Sequence, residues 1–205
     1  MNGQPGVVYL LDDEPGMIKA LTRLLRAERY EVCGFTTVQE LLAECPFDGH
    51  SCLVLDVAMP DLDGMELQRR LLAQGNGIPI IFLTGHGDIP MSVRAIKDGA
   101  IDFLTKPVDA NALLAAVRAA LAVSNERHRS AAAAAVWRER YSSLTPREKE
   151  VMAQVVTGKL NKQIAAALGT GEQNIKVHRS RVMEKMNVES VAELVRIADR
   201  LSAGG

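Results

Sequence analysis

This 205-residue sequence contains no apolar run approaching the roughly 20 residues that a membrane-spanning helix requires, which sets α-helical membrane proteins aside. Its N-terminus, MNGQPGVVYLLDDE, lacks the basic start and small-residue cleavage site of a secretory signal, so a cytoplasmic protein with no membrane partner is expected. Cysteine is scarce. Cys33, Cys45 and Cys52 are odd in number, lack metal-ligand spacing and sit in apolar or strand-like surroundings, which speaks for reduced core thiols rather than a disulfide framework or zinc site. Proline and glycine are missing between Val108 and Ser143, so nothing in that stretch stops a helix.

What is present fits two ordinary domains. A hydrophobic share of 47% with 24% charged residues belongs to a chain that buries cores. The net charge of −1 hides an asymmetry: residues 1–123 hold 10 Lys+Arg against 16 Asp+Glu, a net −6, whereas residues 124–205 hold 14 against 9, a net +5. An acidic half and a basic half suggest different partners, and a basic domain is attracted to polyphosphate without charge alone identifying nucleic acid.

The first half alternates short β-rich runs, Val7–Leu11, Glu31–Phe35, Cys52–Asp56, Ile78–Leu83 and Ile101–Leu104, with helical patterns near Met17–Glu28, Val38–Glu44, Gly64–Ala73 and Pro90–Asp98. This βα repetition predicts an α/β fold, a five-stranded, doubly wound parallel sheet. Ligands of such sheets sit beyond the carboxyl ends of the strands, where this sequence places Asp12, Asp13, Asp56, Thr84 and Lys106. From Asp109 a helix is expected to continue through five consecutive alanines as a stiff spacer, with a flexible tether as the alternative. Beyond it, Thr145 with Glu148, Thr170 with Gln173, and Ser190 with Glu193 have capping-box spacing, and Asn161 is a candidate cap for a further helix whose Leu160, Ile164 and Leu168 share a face. A separate all-α module of four short helices follows.

Asp12, Asp13 and Asp56 each end a strongly apolar strand, where a lone carboxylate is costly unless a cation lies between them. Hard oxygens suit Mg²⁺, while Lys106 adds a fixed positive charge and Thr84 a hydroxyl, a set suited to phosphoryl transfer onto a carboxylate. The segments LLDDE, LVLDVAMPDLDG, IIFLTGHGD and AIDFLTKP, with Thr84 28 residues and Lys106 50 residues after Asp56, resemble the receiver domain of two-component response regulators. That resemblance implies a flavodoxin-like sheet in which Asp56 accepts phosphate from a sensor histidine kinase. It further implies that Asp13 binds Mg²⁺ directly, Asp12 mostly through water, and Asp56 and the Ala58 carbonyl complete the protein's ligands. Thr84 and Lys106 meet the phosphoryl group, and Phe103 is the aromatic that swings inward. His86 tunes phosphate lifetime or is a solvated loop residue. Haloacid-dehalogenase-type phosphatases need a second Asp where this chain has Ala58, so no enzyme is expected beyond self-catalysed phosphoryl transfer and slow dephosphorylation.

On a wheel of about 100° per residue, a helix over Thr170–Met186 groups Ile175, Val182 and Met186 as a buried seam and turns Lys176, Val177, Ser180, Arg181 and Glu184 outward. That division is what a groove-reading helix needs. The run LTPREKEVMAQVVTGKLNKQIAAALGTGEQNIKVHRSRVMEKMNVESVAELV resembles the LuxR-type DNA-binding domain. The resemblance implies that Lys176, Val177 and Ser180 face bases, and that Lys162, Arg179, Arg181 and Lys185 contact phosphates. Leu160 departs from a common Ser or Thr. Asn174 stands where Thr is usual, and caps locally or touches DNA. The last helix, with Val191, Leu194, Val195, Ala198 and Leu201, packs on the module. An all-α protein-interaction domain is the alternative.

The expected organisation is a receiver over 5–123, a helical linker over 124–141 and a DNA-binding domain over 142–203. The whole is similar to the FixJ/StyR type of response regulator, a transcription factor that dimerises on phosphorylation and engages promoter DNA and RNA polymerase. A receiver that acts without phosphorylation, or only as a phosphate sink or protein-binding module, is the rival reading. Pathway, signal and operator are not written in the residues.

Overall fold

The computed structural model describes residues 6–47, 49–60, 63–85 and 89–203. Contacts divide the chain into two compact units, Met1–His128 and Arg129–Gly205.

The first unit is the expected parallel sheet. Strands β1 (Val7–Leu11), β2 (Glu31–Phe35), β3 (Ser51–Asp56), β4 (Ile80–Thr84) and β5 (Asp102–Thr105) run in the order β2-β1-β3-β4-β5, all pairs parallel. Helices α1 (Pro15–Ala27), α2 (Val38–Glu44), α3 (Gly64–Ala73) and α4 (Ile89–Lys97) connect them, and α5 (Ala110–Ser142) follows β5. Successive strand residues face opposite sides. Val8, Leu10, Val54, Ile81 and Leu83 pack against Leu21 and Leu25 of α1 and Leu113 and Val117 of α5. Tyr9, Leu11, Leu53, Leu55 and Phe82 pack against Leu41 of α2, Leu67 and Leu71 of α3 and Ala95 of α4. Buried on both faces, β1, β3 and β4 read as continuous apolar runs.

Several element boundaries lie one or two residues from those expected, for identifiable reasons. Helix α1 starts at Pro15, whose missing N–H costs nothing in a first turn, rather than at Met17. Strand β3 gains Ser51, whose N–H donates to Ser124 Oγ at 3.0 Å, and that hydroxyl donates to the Gly49 carbonyl at 3.0 Å. Ser124 is buried and Arg127 donates to the Gly77 carbonyl, so the bonding of the first unit runs past residue 123. Cys45 and Cys52 are buried thiols that burial pushes up to about 11 and about 12, but Cys33 is exposed, because β2 is an edge strand. The core-thiol expectation fails for Cys33.

The spacer is helical throughout: α5 spans 33 residues, opened by Asp109 Oδ1 accepting from Ala112 N–H at 2.8 Å. It ends where Ser142 and Ser143 hydroxyls donate back to the Glu139 and Arg140 carbonyls at 2.7 and 2.6 Å, offering the backbone an alternative to helix.

The second unit holds α6 (Pro146–Val155), α7 (Asn161–Ala167), α8 (Glu172–Met186) and α9 (Val191–Ala203), around a core that includes Leu144, Val151, Val155, Ile164, Ile175, Val182, Met186, Leu194 and Ile197. Of the three capping boxes, Thr145 with Glu148 is complete. At Ser190 the hydroxyl accepts from Glu193 N–H, while the Glu193 carboxylate goes one residue further out, to Glu189 N–H. Thr170 is not a cap: its N–H closes the end of α7 on the Ala165 carbonyl at 3.0 Å, so it belongs to the turn and Gly171 precedes α8. Asn161 lies inside α7 with its side chain on Arg179, and Leu160, 69% exposed, is off the core face expected for it.

Candidate functional site

In a 2-1-3-4-5 sheet the chain reverses direction of winding between β1 and β3, leaving a crevice beyond their carboxyl ends. Asp12 and Asp13 follow β1 and Asp56 ends β3, so the topology itself brings them together. One carboxylate oxygen from each lies within 4.8 Å of the others. Asp12 and Asp56 are 2% and 4% exposed, whereas Asp13 faces solvent. Glycine is required at 64: a Cβ there would stand 2.6 Å from the Asp56 carbonyl oxygen, so α3 can start against β3 only without a side chain. Asp63 caps that helix by accepting from Met65 N–H at 2.9 Å.

Lys106 reaches the same point from the end of β5. Its Nζ donates to Asp12 Oδ2 at 2.7 Å and Asp56 Oδ2 at 2.8 Å, with Glu14 Oε1 at 3.8 Å. Its N–H bonds the Thr84 carbonyl at 2.7 Å, tying the ends of β4 and β5 together. Burial works to lower the ammonium's pKa, but hydrogen bonds and charge from Asp12 and Asp56 outweigh it and the net displacement is upward. The second oxygens are held by backbone: Glu14 N–H on Asp12 Oδ1 at 2.9 Å and Ala58 N–H on Asp56 Oδ1 at 3.2 Å. A cavity of about 300 Å³ opens here, lined by Asp13, Glu14, Asp56, Val57, Ala58, Thr84, Gly85, Met91 and Lys106. The three clustered carboxylates of Asp12, Asp13 and Asp56, with Glu14 beside them, outnumber the one ammonium, a local excess of negative charge with hard oxygen donors, so the residues present fit a divalent cation.

Thr84, buried at the end of β4, lines this cavity. Phe103 sits half-buried on β5, its ring 6.1 Å from that of Phe82, outside the cavity lining. His86 lies outside the described residues. Glu14 and Met91 are lining residues the sequence reading did not single out; Glu14's position directly after the acidic pair was the available signal.

In the second unit Ile175, Val182 and Met186 are fully buried, as the wheel required. Lys176, Val177, Ser180 and Arg181 are exposed on α8, and Lys162 on α7. Two expected phosphate ligands have protein partners. Arg179 Nη1 donates to Asn161 Oδ1 at 3.1 Å, joining α8 to α7. Lys185 Nζ lies 2.7 Å from Glu148 Oε2, a carboxylate 2% exposed, and 3.3 Å from the Ser143 carbonyl. The Lys185 hydrogen bond and the Thr145 N–H hold the Glu148 carboxyl down to about 2. Lys185 thus has partners inside the module, a use the sequence expectation did not include. Asn174 donates to Thr170 Oγ1 at 3.2 Å, a local use of its side chain. Among the described residues no helix is long and apolar enough to cross a membrane.

A sheet with an acidic crevice, joined to a four-helix module with a basic outward face, is a two-part signalling architecture, and the comparisons agree. The family model of the response regulator receiver domain matches residues 8–118, and that of bacterial regulatory proteins of the luxR family matches residues 142–198. TodT, a response regulator protein of Pseudomonas putida, is 43% identical over 201 residues, spanning 98% of this chain and 88% of TodT. The transcriptional regulatory protein FixJ of Bradyrhizobium diazoefficiens is 40% identical over 195 residues, 95% of each chain. The solved structure of response regulator StyR matches at a TM-score of 0.83 and 42% identity, covering 96% of this chain and 99% of StyR. The chain belongs to the response regulators of two-component systems that couple a receiver to a LuxR-type DNA-binding domain. That membership implies a histidine kinase upstream and DNA downstream, and makes the protein a regulator rather than a member of an enzyme family.

Proposed function

We propose that Asp56 is the phosphoacceptor of a cytoplasmic transcription factor that dimerises when phosphorylated. The observation that carries the reading is the convergence of Asp12, Asp13 and Asp56 within 4.8 Å of one another, with Lys106 2.7–2.8 Å from Asp12 and Asp56, at a cavity that also takes in Thr84. An Asp56 carboxylate oxygen attacks phosphorus of the kinase's phosphohistidine; the new P–O bond forms as the P–N bond breaks, and the imidazole leaves with the bonding pair and takes up a proton. Asp12, Asp13, Asp56 and the Ala58 carbonyl would hold Mg²⁺, which would supply neutralising charge for the phosphoryl oxygens. Lys106 exchanges its bond to Asp56 for one to the phosphoryl group, and the Thr84 hydroxyl turns toward the same group. Phe103 follows into the space Thr84 leaves. With Ala58 where a general acid would stand, the acyl phosphate is released slowly, which suits a signal.

Phosphorylation then needs only a few kcal/mol of preference between two receiver states to favour the dimer. Two modules present Lys176, Val177 and Ser180 to base edges, with Lys162, Arg179 and Arg181 on phosphates, and the bound dimer engages RNA polymerase. Intact-mass measurement after incubation with acetyl phosphate and Mg²⁺ tests the core of this reading. The chain is expected to gain one phosphoryl group, and Asp56→Asn none; undiminished labelling of Asp56→Asn overturns it.

A further inference from the structure

The recognition helix and the spacer helix cap each other. Helix α8 ends at Met186, and Asn187 turns the chain in the left-handed conformation at φ 52° and ψ 56°. The N–H groups beyond it return to Glu184 and Met183 carbonyls. The Met186 carbonyl accepts instead from Arg140 Nη1 of α5, at 3.2 Å. In the opposite direction, Lys185 of α8 donates to the Ser143 carbonyl, just past the end of α5, at 3.3 Å. Each helix therefore gives a cation to the other's terminal carbonyls, where the helix dipole favours positive charge. One turn before Arg140, Trp137 packs half-buried on the module's core, with the Arg200 guanidinium 5.2 Å above its ring. These anchors precede residue 142, where the match to the DNA-binding family begins.

We propose that Arg140 is a positioning residue for sequence reading: by clamping the C-terminal carbonyl of α8 it sets where Lys176, Val177 and Ser180 fall in the major groove. The inference rests on the proposed base-facing role of α8. Ten residues separate Lys176 from Met186, a lever of about 15 Å at 1.5 Å per residue. A tilt of about 5° at the clamped end moves the reading end by about 1 Å, enough to misplace hydrogen bonds to base edges while leaving attraction to phosphates intact.

The test uses the full chain, a DNA fragment selected by the unsubstituted protein from a random pool, and a scrambled fragment of the same composition. Arg140→Ala is expected to lower the ratio of the two affinities about five- to tenfold, with the salt dependence of binding unchanged. Arg140→Gln, which keeps an amide donor without the charge, is expected between the two, and decides by the same criteria should Arg140→Ala not fold. A parallel loss on both fragments with a salt slope smaller by about 0.9 makes Arg140 a phosphate ligand and overturns the proposal. Unchanged affinities overturn it too. Lys176→Ala separates the two failures: if it leaves base preference unaltered, the reading by α8 is wrong, whereas altered preference with an inert Arg140 removes the clamp alone.

Discussion

Two buried carboxylate–lysine clusters, with contacts of nearly the same length, do different work in the two units. Lys106 lies 2.7 Å from Asp12 and 2.8 Å from Asp56, and Lys185 lies 2.7 Å from Glu148; the three carboxylates are 2%, 4% and 2% exposed. What differs is balance. In the receiver Asp12, Asp13, Glu14 and Asp56 surround one ammonium, beside a cavity of about 300 Å³. In the module one carboxylate faces one ammonium, and the oxygen that meets it, Glu148 Oε2, also accepts from the Thr145 N–H of a complete capping box. An over-charged, open cluster fits an added cation; a balanced pair holds helices together. Burial and distance alone would have classed them alike.

The largest effect that sharpens this contrast is on stability. Glu148→Ala strips both a buried ion pair and a cap, and is expected to destabilise the DNA-binding domain by about 3 kcal/mol, read by chemical denaturation, while acetyl phosphate labelling of Asp56 is unaffected. Equal loss of labelling breaks the separation of roles. Acid gives a related signature. Because Lys185 first, and the Thr145 N–H next, hold the Glu148 carboxyl at about 2 against an ordinary 4.5, the stabilisation is full above about 4.5 and is lost as pH falls toward about 2. The melting transition of this domain is therefore expected to drop between pH 5 and pH 3, and Glu148→Gln to flatten that dependence.

A smaller difference separates cations that face outward from those spent internally. Lys162→Ala is expected to reduce the slope of log affinity against log salt by about 0.9, and Lys185→Met to leave it unchanged while lowering the melting temperature. A reduced slope for Lys185→Met would return that residue to the DNA face. The smallest effect concerns Leu160, which occupies the N-cap of α7 with extended backbone and no side-chain acceptor. Leu160→Ser is expected to stabilise the module by about 0.5–1 kcal/mol in denaturant titrations.

The receiver's fold, and where its candidate site residues gather, were legible because strand periodicity locates them. Asp12, Asp56, Thr84 and Lys106 stand at the ends of apolar runs, and a parallel sheet gathers strand ends at one edge. The seam of α8 was legible for the same reason: Ile175, Val182 and Met186 recur at helical spacing, and all three are buried. Long polar side chains were less readable. Thr170 had the spacing of a cap, yet its N–H closes the preceding helix; Asn161 had the chemistry of a cap, yet bonds Arg179 eighteen residues away; Arg140 carried no signal. Cys33 looked like its neighbours until β2 proved to be the edge strand.

Hydrophobic periodicity by itself determined that an acidic parallel sheet precedes a basic helical module, and which carboxylates crown the sheet, since burial of apolar faces is a local pattern repeated many times over. The assignment of each cation was decided only by the folded chain. A lysine or arginine reaches several ångströms in any direction, and whether it meets a buried carboxylate, a helix-end carbonyl or water depends on neighbours distant in sequence. Lys106, Lys185 and Arg140 are alike in composition and distinct in tertiary surroundings.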